Sequence, residues 1–358
     1  MRQLFKLAQK SFISNFKVLD FPMKLNFLLT FNCNARCIMC NIWKKDNPEE
    51  FSLSEVEDFF SKSNKFLWMD LSGGEIFLRK DIVDVVEVIL KNCRDLYLLH
   101  FATNGFLPDR IVSAIENILK FNPKKLLMTV SLDGYKEMHE EMRGIPNSFE
   151  KTLQTFAELR KMNNRRFKVF LGMTLTEKNV DKLEESFQYV KRIIKDLEYN
   201  EFHLNIVQKS PHYYDNLNIN SPDADVLYKT IQDFREKRGN HFFSPVDYLE
   251  NKYQKLARSF LRNSRTPLPC QALSASCFIS PTGDVYPCTM YNRSIGNIRD
   301  YGYDLKKILS GKEADKAREE IRKGLCPHCW TPCEAYQTII ANFFGLRKNI
   351  LNRNRADD

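Results

Sequence analysis

Three cysteines near the N-terminus are the first residues in this sequence whose types and spacing could do chemistry. Cys33, Cys37 and Cys40 have the spacing C-x3-C-x2-C within the stretch TFNCNARCIMCNIW. Thiolates on a short loop are good ligands for zinc or an iron–sulfur cluster. A structural zinc site normally has four protein ligands, whereas a cubane cluster held by three cysteines leaves one iron open. Unrelated buried cysteines are the alternative, and this spacing argues against it.

A second group of cysteines lies near the C-terminus. Two of them bracket Gly283 in a C-x12-G-x4-C pattern at 270–288, and CPHCWTPC follows at 326–333. The intervening SPTGDVYP predicts a β-hairpin, which suits the presentation of sulfur ligands. The candidate metal ligands of this group are Cys270, Cys288, Cys326 and Cys329. Four thiolates in two pairs fit either an auxiliary cluster or a zinc ribbon.

Three further cysteines have less certain roles. Cys277 and Cys333 could each replace one of the four ligands or help to bind a second, incomplete cluster. Cys93 lies in a predicted helix and is expected to be an inert core residue. With ten cysteines in the chain but none from 94 to 269, the distribution is typical of a reduced metal-binding protein rather than a disulfide scaffold.

The composition is that of an ordinary globular protein. The chain has 358 residues, 43% of them hydrophobic, and a net charge of +9 from 54 basic and 45 acidic residues. Because the basic residues are scattered, a solvated surface is favoured over a nucleic-acid face, and a nucleic-acid partner is not expected. No apolar run approaches the roughly 20 residues that span a bilayer, and the N-terminus lacks a secretory signal. We therefore expect a cytoplasmic protein with no transmembrane segment.

The elements that position these cysteines alternate regularly between strands and helices. Apolar runs predict strands at 24–31, 66–72, 96–103, 125–133, 167–175 and 201–208. Amphipathic periodicity predicts helices at 52–63, 81–92, 109–120, 148–162 and 180–196. Strands that are apolar on both faces indicate a parallel sheet covered by helices. Six such units predict an α/β fold, a partial (β/α)6 TIM-like barrel with a small cysteine-rich C-terminal α+β domain.

The sequence divides into five predicted segments. They are an N-terminal extension (1–23), the partial barrel (24–208), a linker with two helices (209–263), the cysteine-rich domain (264–345) and a basic tail (346–358). The N-terminal extension could be a basic amphipathic helix on a membrane surface. Packing onto the domain that follows is the favoured interpretation.

The three-cysteine loop resembles the signature of the radical S-adenosylmethionine (SAM) superfamily. The resemblance implies that Cys33, Cys37 and Cys40 hold a [4Fe–4S] cluster whose fourth iron binds the amino and carboxylate groups of SAM. It also implies reductive cleavage of SAM to a 5′-deoxyadenosyl radical, which abstracts a hydrogen atom from the substrate. The residue before the last cysteine is usually aromatic in this family. Here it is Met39, which can still line an apolar adenine pocket.

Motifs at the other strand ends are similar to further SAM contacts of the family. LSGGE (71–75) follows the second predicted strand, and the resemblance assigns the grip on the SAM amine to Gly73, Gly74 and Glu75. ATNG and SLDG end the next two strands. The remaining candidate SAM contacts are Asn104, Ser131 and Arg143, with Asp133, Asn205 and Gln208 as weaker ones. For Arg143 a surface ion pair is an equally good interpretation.

The C-terminal cysteines resemble the auxiliary-cluster domains called SPASM and Twitch. The full SPASM pattern has seven cysteines, this region has six, and the shorter Twitch pattern needs four. The resemblance implies at least one auxiliary [4Fe–4S] cluster. With four protein ligands that cluster would accept or relay an electron, which favours oxidation or bond formation.

The implied function is that of a radical SAM oxidoreductase or maturase acting on a peptide or a small molecule, such as a sugar or antibiotic precursor. An electron donor such as flavodoxin or ferredoxin is expected. An RNA-modifying enzyme of the same superfamily and a non-catalytic zinc-binding interaction protein are the alternatives. No general base is identified, because ordinary packing explains the candidates His203, Tyr213, Tyr214 and Asp215 equally well.

Overall fold

A nine-stranded β-sheet forms the centre of the protein in this computed structural model, which describes residues 2–45, 49–239 and 244–343. The strands are β1 (Lys24–Leu28), β2 (Trp68–Ser72), β3 (Leu98–Thr103), β4 (Lys125–Ser131), β5 (Phe167–Leu175), β6 (Phe202–Ile206), β7 (Ser276–Ile279), β8 (Asp284–Tyr286) and β9 (Gly296–Asn297). Their order across the sheet is β6-β5-β4-β3-β2-β1-β7-β8-β9. The first six strands run parallel to their neighbours, so the predicted α/β partial barrel is confirmed.

Twelve α-helices are present among the described residues. They are α1 (Arg2–Ile13), α2 (Leu53–Lys62), α3 (Ile82–Asn92), α4 (Pro108–Lys120), α5 (Lys136–Arg143), α6 (Ser148–Arg160), α7 (Leu183–Ile193), α8 (Ala224–Arg238), α9 (Pro245–Asn263), α10 (Leu305–Leu309), α11 (Lys312–Lys323) and α12 (Pro332–Ala341). A capping box begins α2, since the Ser52 and Glu55 side chains each accept a hydrogen bond from the other's backbone N–H. Such a reciprocal cap fixes where the helix begins.

The two faces of the parallel sheet have different neighbours. Alternate side chains such as Leu25 and Phe27 point outward and pack against the surrounding helices in the main core. The Phe27 ring lies 5.7 Å from that of Phe60 in an edge-to-face arrangement. The inward-facing side chains of β2 to β6 line a cavity instead. Most helices therefore cover the outer face, whereas the inner face lines the cavity together with residues of α9 and α12, such as Leu249 and Tyr336.

The polar helix α5 was not predicted from the sequence. It contains one buried apolar residue, Met142, beside buried His139 and Arg143, so the apolar periodicity on which the prediction relied is weak here. The helix ends at Gly144, whose φ of 65° is left-handed, the backbone conformation that favours glycine at a helix end. The missed helix matters because it carries Arg143 to the cavity.

The segment predicted as a linker is packed into the structure. Ser210 donates a hydrogen bond to the carbonyl of Thr289 at 2.6 Å, and the Asn216 amide donates to the carbonyl of Met39 at 2.9 Å. The two helices predicted after it correspond to α8 and α9. Part of its polar composition therefore reflects hydrogen bonding to the cysteine loop and to the C-terminal region, whereas residues such as Asn218 and Asn220 are exposed.

The C-terminal region is continuous with the central sheet. The predicted hairpin is formed by β7 and β8, but β7 also pairs in parallel with β1. The C-terminal region thus shares a sheet with the barrel, because apolar β7 supplies the neighbour that the edge of β1 requires. The exact domain boundaries stay a prediction, and the basic tail lies outside the described residues.

The N-terminal helix α1 packs onto the core, as the favoured interpretation predicts. Leu7 joins a small apolar cluster with Leu19, Met23 and Leu67. Among the described residues, no helix has the length and apolar character needed to cross a membrane.

Candidate active site and metal centres

One large cavity opens where the parallel strands end. It has a volume of about 1850 Å³, including its open mouth, and extends down the inner faces of β2 to β6. The sequence-predicted residues that line it are Cys33, Cys37, Met39, Cys40, Gly73, Gly74, Asn104, Ser131 and Arg143. The weaker candidates Asn205 and Gln208 line it as well. Separate segments of the chain thus converge on the carboxyl edge of the sheet, where parallel α/β folds bind ligands.

The cysteine loop is held by the end of α5. The backbone N–H of Arg36 donates to the carbonyl of Arg143 at 2.8 Å, and that of Ile38 donates to Met142 at 3.0 Å. Within the loop, the Ala35 N–H lies 3.4 Å from the Cys33 sulfur. Hydrogen bonds to sulfur are a usual means of tuning cluster ligands.

The three thiols of the loop suit a cluster with three protein ligands. Burial raises the pKa of Cys33 to about 11 and that of Cys40 to about 12, and repulsion between the sulfurs adds to this. A bound cation reverses the preference, because a metal-coordinating thiol loses its proton. Among the described residues no three such side chains already converge on one point, so a cluster requires the thiols to turn toward one another.

The two glycines after β2 allow the chain to press against the cysteine loop. Gly74 donates its N–H to the carbonyl of Thr30 at 2.8 Å. A Cβ at Gly73 would lie 2.3 Å from the Thr30 oxygen, and one at Gly74 would lie 2.1 Å from the Asn32 oxygen. No other residue type fits this backbone contact.

The Glu75 carboxylate is fully buried and is not among the residues that line the cavity, and its contact with a ligand ammonium stays a prediction. Its oxygens accept hydrogen bonds from the Asn104 N–H at 2.7 Å, the Thr103 hydroxyl at 3.0 Å and the Phe77 N–H at 3.2 Å. Burial raises its pKa to about 7. The side chain therefore joins the ends of β2 and β3 and acts on the site through its neighbours.

Arg143 places its guanidinium on the cavity wall. Its Nη2 pairs with Asp133 at 2.7 Å, and its Nη1 lies 3.6 Å from the Cys37 sulfur. Both side chains are buried, so the surface ion pair considered from the sequence is wrong. Burial lowers the pKa of Arg143, but Asp133 and Cys37 outweigh it and raise the pKa. Its Nε has no hydrogen-bond partner among the described residues, which leaves one donor for an anion.

Met39 and Asn104 face the cavity in different ways. Met39 is buried and packs with Met142 and Val207 in an apolar corner. The Asn104 amide donates to Asn34 on the cysteine loop at 2.6 Å and so ties β3 to that loop. Asn104 is thus partly engaged in supporting the site, while Met39 offers an apolar surface to a flat ring.

A chain of polar side chains crosses the inner faces of β1 to β4, and the sequence did not reveal it. Lys24 pairs with Asp70 at 2.8 Å, and the other Asp70 oxygen lies 3.4 Å from His100 Nδ1. His100 Nε2 lies 3.0 Å from the Thr129 hydroxyl. Burial raises the pKa of Asp70, but Lys24 and His100 outweigh it and lower the pKa. An ionised carboxylate therefore orients an imidazole that is 28% exposed on the cavity wall.

Two side chains of β6 carry buried polar atoms without a hydrogen-bond partner among the described residues. These are Nε2 of His203 and Oδ1 of Asn205, and both residues line the cavity. The His203 ring stacks on Phe170 with the centroids 4.1 Å apart, and burial lowers its pKa well below the usual value. Unsatisfied groups of this kind are rare in native interiors, and a ligand would complete their bonding.

The four C-terminal cysteines singled out by the sequence lie together. The Cys270 sulfur faces the Ala272 N–H at 3.4 Å, and the Cys288 sulfur faces two N–H groups at 3.3 and 3.4 Å. Burial raises the pKa of Cys329 well above its usual value, and the charges of Cys288, Cys270 and Cys326 add to the effect. Once deprotonated, these four cysteines, two of which face backbone donors, would suit an iron–sulfur cluster or zinc, although no three of them converge on one point among the described residues.

The uncertain cysteines lie elsewhere. Cys277 points from β7 into the main core, away from the other C-terminal cysteines, and Cys93 is buried in the same core. Cys333, in the first turn of α12, lines the central cavity. Neither Cys277 nor Cys333 therefore belongs to the four-cysteine group in this structure.

Tyr213 and Tyr214 lie between the two cysteine sites. Their rings stack with the centroids 4.2 Å apart, and Tyr214 packs both in the cluster containing Cys40 and in the one containing Cys288. Burial raises the pKa of Tyr214 well above its usual value, so its hydroxyl stays protonated and makes a poor base. Asp215, another candidate base, is exposed and does not line the cavity.

Two family profiles match the chain. The Radical SAM superfamily matches residues 27–190, and SPASM, an iron–sulfur cluster-binding domain, matches residues 270–333. The first range contains the three-cysteine loop, and the second contains all four C-terminal candidate ligands.

Curated relatives cover most of the chain. The AdoMet-dependent heme synthase of Methanosarcina barkeri is 23% identical over 86% of this chain and 88% of its own length. The mycofactocin maturase MftC of Mycolicibacterium smegmatis is 24% identical over 87% of this chain and 76% of its own.

Solved structures share the fold. Native anSMEcpe with bound AdoMet aligns with a TM-score of 0.59 at 17% identity, over 92% of this chain and 99% of its own. Streptococcus suis SuiB bound to its precursor peptide SuiA aligns with a TM-score of 0.58 at 16% identity, over 92% of this chain and 74% of its own.

Replacing Glu75 with glutamine should destabilise the protein as well as the site. An amide nitrogen would face donors that now point at a carboxylate, and a buried donor that loses its partner costs about 1–3 kcal/mol. The urea midpoint before cluster incorporation should fall, and iron uptake should fall with it. Exposed Glu57→Gln is the matched control. An unchanged midpoint in E75Q would show that Glu75 has no structural role.

Alanine at Cys277 and at Cys288 should have different effects on iron content. Cys277→Ala removes a core sulfur and should cost about 1 kcal/mol of stability without loss of iron. Cys288→Ala should lower the iron bound per chain by about one cluster, because it removes a thiolate ligand. Anaerobic reconstitution followed by iron and sulfide determination measures both. Equal iron losses in the two variants would contradict the placement of Cys277 in the core.

Proposed function

Because the chain belongs to the radical SAM superfamily and carries a SPASM iron–sulfur domain, we propose that its cavity residues bind SAM beside the substrate to be oxidised or cross-linked. The protein is an enzyme whose cofactors are SAM, a [4Fe–4S] cluster and auxiliary iron–sulfur clusters. Its relatives act on peptides and small molecules. The observation that carries the proposal is the convergence of the cysteine loop, the Gly73–Gly74 turn and Arg143 on one cavity.

The proposed ligands of the SAM-binding cluster are Cys33, Cys37 and Cys40. Three protein ligands leave one iron for the amino and carboxylate groups of SAM. When bound, these cofactors supply the radical that removes a hydrogen atom from the substrate. The protein itself fixes the position of the cysteine loop through backbone hydrogen bonds to the end of α5 and to the Gly73–Gly74 turn.

The remaining SAM contacts are proposed from the hydrogen-bonding groups and apolar surfaces that the cavity residues offer to a ligand. Arg143 is proposed to meet the carboxylate, because its buried Nε lacks a partner among the described residues. The glycine turn brings backbone groups close to the amine, and Met39 forms an apolar wall for adenine. Asn104 and Ser131 are proposed ribose or carboxylate contacts. Glu75 supports this set from behind.

The proposed auxiliary-cluster ligands are Cys270, Cys288, Cys326 and Cys329. A closed set of four thiolates leaves no position for a substrate, so electron transfer is the role it suits. The stacked rings of Tyr213 and Tyr214 lie between the three-cysteine loop and the four C-terminal cysteines. An external reductant such as flavodoxin or ferredoxin is proposed for the first electron.

His100 is the proposed proton acceptor. Oxidising a C–OH or C–NH group removes a hydrogen atom, a proton and an electron, so the site needs a base next to the substrate. His100 lines the cavity, and Asp70 orients its Nδ1 as carboxylates orient imidazoles in other active sites. His203 is neutral, lines the same cavity and lacks a carboxylate partner, so it suits substrate binding better.

Anaerobic reconstitution tests the function directly. The wild-type chain should take up iron and sulfide and, with dithionite, convert SAM to methionine and 5′-deoxyadenosine. Alanine at Cys33, Cys37 or Cys40 should abolish this cleavage, whereas Cys329→Ala should spare cleavage and stop substrate turnover. Purified protein that holds zinc with only trace iron and cleaves no SAM would leave the zinc-binding interaction protein as the better account.

A separate measurement tests His100. His100→Gln should leave 5′-deoxyadenosine formation without substrate unchanged, since the imidazole is not needed to hold SAM. With substrate, product formation should fall by about 10²–10⁴-fold, the usual contribution of a general base. His203→Gln should instead raise the KM for the substrate more than it lowers kcat, because His203 is proposed to bind the substrate. A short precursor peptide encoded beside the gene is the first substrate to try. If His100→Gln formed product as fast as the wild type at every pH, His100 could not be the general base.

A further inference from the structure

The outer face of α1 is apolar although it points away from the core. Leu4, Phe5, Ala8 and Phe12 share this face by helical spacing, and Phe16 continues it in the following turn. We call these five residues the α1 stripe. The exposed fractions of its large side chains are 46% for Leu4, 70% for Phe5, 45% for Phe12 and 54% for Phe16. The buried residues Leu7 and Ser11 lie on the adjacent side of the helix, next to Leu4.

The stripe is a concentration of exposed apolar surface, not a scatter of single residues. Twelve large apolar side chains are exposed among the described residues, and five of them lie between residues 4 and 18. Isolated exposed residues are normal, whereas a contiguous patch usually marks a surface that contacts another apolar phase.

The charge around the stripe has one sign. Residues 1–19 contain Arg2, Lys6, Lys10 and Lys17 and no acidic residue. The nearest acidic group is Asp95, which pairs with Lys6, and Asp20 follows the segment. Arg94 adds a further cation, because its carbonyl accepts a hydrogen bond from Gln3 of α1. An apolar ridge flanked by cations is the pattern of helices that lie in the interface of an anionic membrane.

We propose that α1 docks this protein on an anionic lipid surface, with the stripe in the acyl boundary and the basic residues at the headgroups. A second copy of the chain is a poor occupant, because two stripes would bring two sets of cations together.

The position of α1 sets the orientation of the docked enzyme. Its inner face packs on Met23, Leu67 and Tyr97, which immediately precede β1, β2 and β3. The helix therefore lies at the amino ends of the parallel strands, and the cavity opens at their carboxyl ends. Docking through α1 therefore leaves the cavity mouth at the other end of the strands from the docked helix.

Vesicle binding by the full-length, reconstituted protein tests the proposal. The probes are vesicles of phosphatidylcholine alone and of phosphatidylcholine mixed with phosphatidylglycerol. The protein should sediment with the mixed vesicles only and should dissociate as salt is raised. In addition, Phe5→Trp should show a blue-shifted emission with the mixed vesicles, which reports burial of that position.

Matched variants identify the face that binds. Phe5→Ser with Phe16→Ser should reduce the partition coefficient by about tenfold or more, since two largely exposed phenyl groups lose their apolar burial. Ile193→Ser with Leu325→Ser removes exposed apolar surface elsewhere and should leave binding unchanged. All variants should retain wild-type circular dichroism and SAM cleavage, because the substituted side chains lie outside the cavity.

Several results would overturn the proposal. One is the absence of binding to the mixed vesicles. Another is binding by the stripe variant, Phe5→Ser with Phe16→Ser, that equals binding by the wild type. A wild-type dimer that the stripe variant converts to a monomer would assign the stripe to a second copy. Binding that appears only after deletion of residues 344–358 would assign it to the chain's own C-terminal segment.

Discussion

The buried carboxylate of Glu75 is the contact on which the arrangement of the cavity depends. Its backbone N–H donates to the carbonyl of Asn32, just before the cysteine loop that follows β1, and its side chain accepts from Thr103 and Asn104 at the end of β3. One residue thereby fixes three neighbouring strand ends. The adjacent Gly73 and Gly74 permit the close backbone contact, and the cysteine loop is held before any cofactor is bound.

The inner face of the sheet is unusual for a parallel sheet because it is polar at its centre. Lys24 is bonded to Asp70 and also to Gln337 of α12 at 3.0 Å, so the network joins the barrel to the C-terminal region. Buried ion pairs contribute little net stability, since desolvation offsets their attraction. Orientation of His100 toward the cavity is the simpler reason for retaining one here. The same sheet therefore positions cofactor ligands at its carboxyl edge and a base further inside.

Much of the fold could be predicted from the sequence, because buried parallel strands and amphipathic helices have distinct periods. The cysteine, glycine and Arg143 positions were also predictable, since loops at the carboxyl ends of such strands meet. Helix α5 was missed because it has little apolar periodicity, and the β7–β1 pairing was missed because partners distant in sequence leave no local signal. The hydrogen bonds of Glu75 to the residues after β3 could not be predicted, because spacing does not reveal which way a side chain points. The one available signal for the inner network was a polar residue, Asp70 or His100, inside an otherwise apolar strand.

The central claim is that two separate cysteine sites serve different tasks, and that only the loop at Cys33, Cys37 and Cys40 leaves an iron for SAM. Electron paramagnetic resonance of the dithionite-reduced protein, recorded with and without SAM, tests it most directly. The account predicts signals from two clusters, of which SAM changes one and leaves the other as it was. Signals that both change, or that are both indifferent to SAM, would contradict the division of roles.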